Sequence, residues 1–466
     1  MQETFARETL TRLPLAEAVL TLWDWVLDAD YLQGLFDDHR GACYDKRIAF
    51  PVLVQVLADA LLQYRGSGRQ SFQRHRDALQ ASDQAAYQKL ARLPLPLSEA
   101  FLLHSTQRLL DVVPPPARGR VAQSLDDFEV VVLDGKVVKR VPKRLKPLRG
   151  AKGGVLGGKA LVALDLRHDL AVALATDPDG DTNEAKLVPH ILPPLRARYA
   201  DRPVLWLADR QFCDLKQTAE FVAQEGHAFL VRYHPKTHFY PDADRPGRSG
   251  RDAQGRWWTE EWGWLGGPKQ PQRRYVRRIT LYRPGADDVI LVTSLLDGDR
   301  YPASDLLTLY LSRWGIERVF QKITEVFHLG HLIGTTPQAT LFQLAFCLLL
   351  YNMTQVVRGY VAAAAARDQE TVSTELLFED VRRQLVALAE LVPLPQAAAL
   401  LEAMPRAGAV RAKLARLLQS VWTDRWIKAP NRKRPPAHKE WKSEHTTVHR
   451  LLTKYRALHI KDSPGG

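Results

Sequence analysis

The segment FEVVVLD, residues 128–134, decides how this chain is read. It is a β-branched, apolar run that closes on an aspartate, and two similar runs follow, KALVALDLRHD (159–169) and LAVALATD (170–177). Runs of this kind bounded by turn residues predict strands, the last two joined as a hairpin across Arg167 to Asp169. Residues 183–199 then read as a helix, PVLWLA (203–208) as a buried strand, residues 215–224 as a helix and HAFLVR (227–232) as a fifth strand. The order is β-β-β-α-β-α-β.

That order predicts an α/β fold, a mixed sheet with helices on its faces, in the layout of the ribonuclease H-like nucleases. Residues 233–300 interrupt it with RWWTEEWGW, RRYVRRITLYR and DDVILVTSLL, a β-rich insertion. Helix resumes with an N-cap at Ser304 and Asp305 and is expected to run unbroken to about Phe327. Residues 1–120 carry helical periodicity and no good strand, which suggests a helical DNA-binding domain ahead of a catalytic domain at 121–360. Residues 361–466 read as a helical, basic C-terminal region. Ser82 is expected to cap SDQAAYQKLARL, with Gln84, Gln88 and Lys89 as its polar face. Such a helix suits helix-turn-helix reading of DNA or an ordinary surface helix of a bundle.

The 65 Lys+Arg against 52 Asp+Glu leave a net charge of +13, which favours a polyanionic partner, nucleic acid first. Hydrophobic residues make up 45%, ordinary for a globular chain, so a disordered or fibrous one is excluded. Cys43, Cys213 and Cys347 are too few and too far apart for a disulfide framework or a thiolate zinc site. The N-terminal MQETFARETLTRL resembles no secretory signal, and the apolar stretch from Leu341 to Met353 is too short to cross a bilayer. A cytoplasmic location, on the bacterial nucleoid and off the membrane, is expected.

Three carboxylates stand out by position. Asp134 ends the first strand and Asp209 the fourth, and strand ends of open sheets are where catalytic groups collect. The expected sheet makes those strands neighbours, and like charges held side by side demand a cation. Glu317 is the third. At 100° per residue Tyr310, Arg313, Glu317, Gln321 and Thr324 share one stripe of the expected helix. Hard oxygen donors point to Mg2+ or Mn2+, and a pair of such ions suits phosphoryl transfer on nucleic acid. His328 and His331 lack carboxylate companions and read as structural, although His328 falls back on the Glu317 stripe.

The segment from Tyr310 to Glu317 resembles the Tyr-x2-Arg-x3-Glu signature of bacterial insertion-sequence transposases of the fourth ("IS four") type. LDGK around Asp134, LADRQF around Asp209, VRYH after the fifth strand and GTTP after the glutamate helix resemble that family too. The resemblance implies a DDE triad of Asp134, Asp209 and Glu317 holding two Mg2+ or Mn2+ ions. It also implies DNA contacts by Tyr310 and Arg313, with Arg210 and Arg232 in the neighbouring motifs. The family signature continues to a lysine at the position of Thr324. Lys322, the nearest basic residue, is expected to contact DNA although it lies about 140° off the stripe, and restoring a lysine at 324 is expected to leave activity equal or higher.

Residues 136–159 hold nine Lys and Arg and no acid, Lys143, Arg144 and Lys146 among them, which predicts a mobile cationic loop along a phosphate backbone. The stretch 428–461 holds ten more against Glu440 and Glu444 and reads as a second DNA-contacting arm. In the insertion Trp257, Trp258, Trp262 and Trp264 lie among arginines, suited to stacking on an unpaired base, with Trp258 a candidate. The leading expectation is a transposase that binds the terminal inverted repeats of its element as a homodimer, cleaves there and joins the ends to target DNA. Alternatives are a nuclease or resolvase on the same fold, or a catalytically silent DNA-binding derivative.

Overall fold

The computed structural model describes residues 2–43, 45, 47–63, 66–115, 121–252, 254–313, 315–392, 397, 399–401, 404–428 and 444–461. Its strands are β1 (Glu129–Val137), β2 (Gly154–Leu156), β3 (Lys159–Asp165), β4 (Leu170–Asp177), β5 (Val204–Ala208), β6 (Ala228–Arg232), β7 (Phe239–Pro241), β8 (Arg248–Arg251), β9 (Trp257–Leu265), β10 (Arg274–Leu281), β11 (Val289–Thr293) and β12 (His445–Thr447). The helices before the sheet are α1 (Gln2–Thr11), α2 (Pro14–Val26), α3 (Ala29–His39), α4 (Phe50–Leu62), α5 (Gly68–Arg74), α6 (Arg76–Leu79), α7 (Asp83–Leu90) and α8 (Leu95–Leu110). Within and after it come α9 (Val188–Arg198), α10 (Leu215–Phe221), α11 (Ala303–Ser312), α12 (Gly315–Glu325), α13 (Pro337–Ala364), α14 (Thr374–Leu391), α15 (Ala407–Leu418) and α16 (Val448–Lys461).

The main sheet runs β4-β3-β1-β5-β6-β11-β10-β9-β7, with β8 on β9. β1, β3 and β4 are antiparallel, whereas β5 and β6 are parallel to β1. The five strands expected from FEVVVLD onward are all present, but Asp134 does not end the first: β1 continues to Val137, because Gly135 to Val137 still pair with β3. The hairpin turns at residues 166–169 with Asp169 in the left-handed region (φ 58°). The insertion is not a separate β-module: β11 pairs antiparallel with β6, so its strands extend the same sheet. β6 would otherwise be an open edge, with unpaired backbone groups that demand a partner.

Side chains alternate across each strand, and the sheet therefore buries two faces. Val130, Val132, Leu205 and Leu207 join the core shared with the helices before and after the sheet, while Val131, Leu133, Trp206 and Ala208 pack toward α9. The helix α13 is longer than its apolar stretch suggested. It runs 28 residues, enough by length and composition to cross a membrane, but its apolar window is entirely buried in the fold. Asn352 ties it in: its amide donates to Ala171 O (2.7 Å) and Thr106 Oγ1 (2.9 Å) and its oxygen accepts from Ala171 N (2.8 Å), satisfying a polar group that burial would otherwise penalise.

In α7 the Ser82 hydroxyl accepts from Ala85 N (3.3 Å), the expected cap. Gln84 and Gln88 are exposed, but Lys89 is not part of that face; it is buried, paired with Asp45 and donating to Ile48 O. A buried ammonium needs such partners, so it is a strut between α7 and the loop before α4.

Candidate active site

The first two carboxylates meet through backbone register. Leu133 on β1 pairs with Ala208 on β5, so the next residue of each parallel strand is an aspartate, Asp134 and Asp209. Gly135 N donates to Asp134 Oδ1 (3.0 Å), and Arg210 N donates to Asp209 Oδ1 (2.7 Å), with Asp209 capping a short 3-10 turn at residues 210–212.

The third arrives differently, because the helix expected from Ser304 to Phe327 is broken. α11 starts after Pro302 without a side-chain cap and ends at Ser312, Arg313 is its C-cap, and α12 begins at Gly315. Gly315 is a poor helix former, which favours a break there. Across that break the stripe still converges on one side: Arg313 reaches Glu317 four residues on, and Thr324 meets Lys136 of β1. Tyr310 and Arg313, expected to face an open groove, are each only 4% exposed. Arg313, still helical in its backbone, points inward. Its Nη2 lies 3.3 Å from Glu317 Oε1 and its Nη1 3.7 Å from Asp134 Oδ2, while its Nε has no hydrogen-bond partner among the described residues. The guanidinium also lies 5.6 Å from the Tyr310 ring. Arg313 thus bridges a carboxylate on β1 and one on α12.

Burial pushes the Asp134 carboxyl up to about 7; Glu184 and Glu317 add to that, and Arg313 and the Gly135 amide oppose it. A carboxylate with so much negative company and so little water suits a cation. The other two candidate carboxylates, Asp209 and Glu317, supply only oxygen donors, the set preferred by Mg2+ and Mn2+. Among the described residues no three His, Cys, Asp or Glu side chains are drawn close enough to hold a metal ion as they stand; Arg313 occupies the charge-balancing place.

Lys136 follows on the same face of β1 as Asp134. Its Nζ donates to Thr324 Oγ1 (3.0 Å) and Phe320 O (3.3 Å) on α12, and burial lowers its pKa to about 8. The hydroxyl at 324, where the resembling family has a lysine, therefore receives a lysine from β1. Lys322 does not take that place. It points to α14, 2.9 Å from Thr374 Oγ1 and 3.9 Å from Glu375 Oε1, so its expected DNA contact is not supported. Five helical positions from Glu317 carry it round to the opposite neighbour.

The other expected contacts divide by exposure. Arg210 is exposed beside Asp209, and Arg232 acts electrostatically on the buried Tyr310 phenol, which burial raises to about 12. Lys143, Arg144 and Lys146 are exposed, but their segment is pinned rather than mobile. Val141, Leu148 and Val155 anchor it in the core, and β2 pairs in parallel with β12. Apolar residues every few positions gave the cationic run a buried side that its charge obscured.

Of the basic C-terminal stretch, residues 429–443 lie outside the described residues. In the rest, Arg450 is held by Asp179 (3.0 Å) and Asp181 (2.8 Å), docking α16 on the flank of the main sheet. Trp258 is half-buried with Gly250 against its ring, so it is a packing residue. Trp262 is buried and donates to Leu296 O (2.8 Å). The exposed rings are Trp257 and Trp264, the latter stacked by Arg273 at 4.0 Å. α12 ends at Glu325, and His328 adopts φ 60°, off the helix and off the Glu317 stripe, with its ring 6.0 Å from that of His331.

One residue at the site escaped sequence reading. Glu184, in the TNEAK turn before α9, is buried and pairs with Lys159 on β3 and with Gln211, two residues past Asp209. The signal for it was indirect: a glycine within a strand, here Gly135, implies that something approaches its Cα closely.

Residues 126–353, from the turn before β1 into α13, match the family described as transposase DDE domain. The match spans Asp134, Asp209 and Glu317 and supports a DDE transposase family. No match was found among curated proteins. Among solved structures the chain is similar to one described as the cryo-EM structure of piggyBac transposase synaptic complex with hairpin DNA. The similarity is 10% identity and a TM-score of 0.34 over 92% of this chain and 79% of that one, too low to bear on fold or chemistry.

Proposed function

We propose that this protein is a cut-and-paste DNA transposase with a ribonuclease H-like catalytic core and a DDE triad of Asp134, Asp209 and Glu317. The observation that carries the reading is the pairing of Leu133 with Ala208, which brings Asp134 within β1 beside Asp209, the residue after β5, on the segment matching the transposase DDE domain. Three antiparallel strands followed by two parallel ones support the ribonuclease H-like assignment.

Asp134, Asp209 and Glu317 would hold two Mg2+ or Mn2+ ions, which when bound activate a water or 3′-hydroxyl and stabilise the leaving oxyanion. Arg313 neutralises Asp134 and Glu317 while the site is empty of substrate and offers an unused Nε–H to a phosphate oxygen. Lys136 braces α12 against β1. The exposed Lys143, Arg144 and Lys146 follow the DNA backbone, and terminal inverted repeats, target DNA and a homodimer on the nucleoid complete the reading. A silent derivative loses ground because the place of the signature lysine is supplied from β1.

The test is cleavage and strand joining on DNA carrying the ends of the element, in Mg2+. Wild-type protein should nick the ends and join a 3′-hydroxyl to target DNA. Asp134→Ala, Asp209→Ala and Glu317→Ala should each abolish both while still binding the ends. Hydrolysis without joining would assign a nuclease instead, and wild-type rates in any of the three would remove that residue from the triad.

A further inference from the structure

We propose that Glu184 is a positioning residue that holds β1 and the turn after β5, which carry the two aspartates, at a fixed separation. It opens the 3-10 turn Glu184–Leu187 ahead of α9, a turn set by Asn183, whose side chain accepts from Ala185 N (3.0 Å). That start aims the carboxylate back over the ends of β1 and β5, where it is only 8% exposed.

A buried carboxylate persists only where its charge and lone pairs are met. Lys159 from β3 pairs with Oε1, and Gln211 donates to Oε2. On its remaining side the carboxyl group lies on the Cα of Gly135, so that a Cβ built there would fall on the carboxyl itself. Gly135 sits in ordinary extended strand and not in the left-handed region. Its glycine is therefore required by close approach and not by backbone conformation.

One side chain thus touches the residue after Asp134, the second residue after Asp209, and the strand that flanks β1 on its other side. Its charge is answered by Lys159, so Glu184 need not be a metal ligand; it sets where the ligands stand. It also adds negative potential at Asp134, which favours a cation there. Groups that orient metal ligands from behind typically change affinity or activity 10- to 100-fold when altered. The inference rests on the proposed function in taking Asp134 and Asp209 as paired ligands.

The experiment uses the full chain and Mn2+ as probe, followed by electron paramagnetic resonance titration, thermal unfolding and end cleavage. Glu184→Gln and Glu184→Ala should weaken Mn2+ binding about 10- to 100-fold and slow cleavage similarly, with Glu184→Asp intermediate. Gly135→Ala should lower the melting temperature by driving Cβ into the carboxyl group. Gly135→Ala with Glu184→Ala should melt higher than Gly135→Ala alone, since the methyl enters vacated space. Additive melting losses, or Mn2+ affinity in Glu184→Ala equal to wild type, overturn the clamp. Wild-type protein that binds Mn2+ yet cleaves no end DNA breaks the transposase reading alone, and the clamp then stands or falls on the Mn2+ and melting comparisons. Wild-type protein that binds no Mn2+ overturns both.

Discussion

Asp134 and Asp209 stand on a floor of backbone hydrogen bonds, whereas Glu317 stands on an arm held by side chains. The floor is set by strand register: Glu129 through Leu133 pair in sequence with Val204 through Ala208, and neither aspartate can slide without breaking that ladder. The arm is α12, separated from α11 by a break and joined to β1 through Arg313 with Asp134, and Lys136 with Thr324 and Phe320. Its apolar face, Ile316, Val319, Phe320 and Ile323, is buried, but Glu317 itself is exposed. The difference suggests a division of labour. A ladder of five residue pairs resists displacement, while a few polar side chains permit an adjustment of the third carboxylate when charge or substrate enters the site.

Changing carboxylate length should expose that difference most strongly. Asp134→Glu pushes the carboxylate outward from a strand that cannot retract, and about 1 Å of misplacement can cost ~100-fold in rate. Glu317→Asp withdraws the carboxylate on an arm that can follow, so the loss there should stay within about tenfold, near 1.4 kcal/mol. Single-turnover cleavage measures both. Equal losses would show that the arm is as rigid as the floor.

The next contrast is in stability. The Asp134 carboxyl ordinarily titrates at 3.8 and is pushed up to about 7 in the fold, chiefly by burial. The folded state therefore keeps a proton that the unfolded state loses, and stability falls as pH rises from about 4 to about 7. The cost is absent below that window and complete above it. Asp134→Asn removes the titration, so in metal-free buffer it should be more stable than wild type at pH 8 and indistinguishable near pH 4. Thermal unfolding at both pH values decides this, and an equal shift at pH 4 would assign the gain to something other than charge.

Arg313 joins floor to arm, and a lysine there could answer charge but not bridge two carboxylates and a phosphate with a planar fork. Arg313→Lys should lower cleavage tenfold or somewhat more, about 1.4 kcal/mol, with the melting temperature little changed. Full activity would mean the bridge is only electrostatic.

The floor was legible in the sequence and the arm only partly so, for a physical reason. Valine-rich runs announce strands, although β1 runs on past its aspartate to Val137, and strand order follows from few alternatives. Whether a helix is continuous is weakly announced in sequence, and α11 ends at Ser312, although Arg313 still reaches Glu317 four residues on. The sequence reading thus found Arg313 but exposed it, and saw Lys322 as a contact when α14 captures it. Charge density likewise hid the anchors Val141, Leu148 and Val155 within the basic segment. Glu184 was invisible because its role depends on what folds over Gly135.

The smallest effect belongs to the Lys136–Thr324 contact, which tests the arm without touching a carboxylate. Thr324→Val keeps the shape of the side chain and removes the oxygen that accepts from Lys136 Nζ, leaving Phe320 O as acceptor. A single hydrogen bond of this kind contributes about 1 kcal/mol, so cleavage should fall roughly fivefold. Thr324→Lys follows the resembling family and on sequence alone should be neutral or better. The geometry reverses that expectation, because the new ammonium would meet the one Lys136 already places there, and like charges at close range repel. Activity should drop below that of Thr324→Val. Removing the first lysine as the second is added, Lys136→Met with Thr324→Lys, should recover most of the loss, since one cation then braces α12 as before. A single variant Thr324→Lys with full activity would place Lys136 away from α12 and leave the arm held by Arg313 alone.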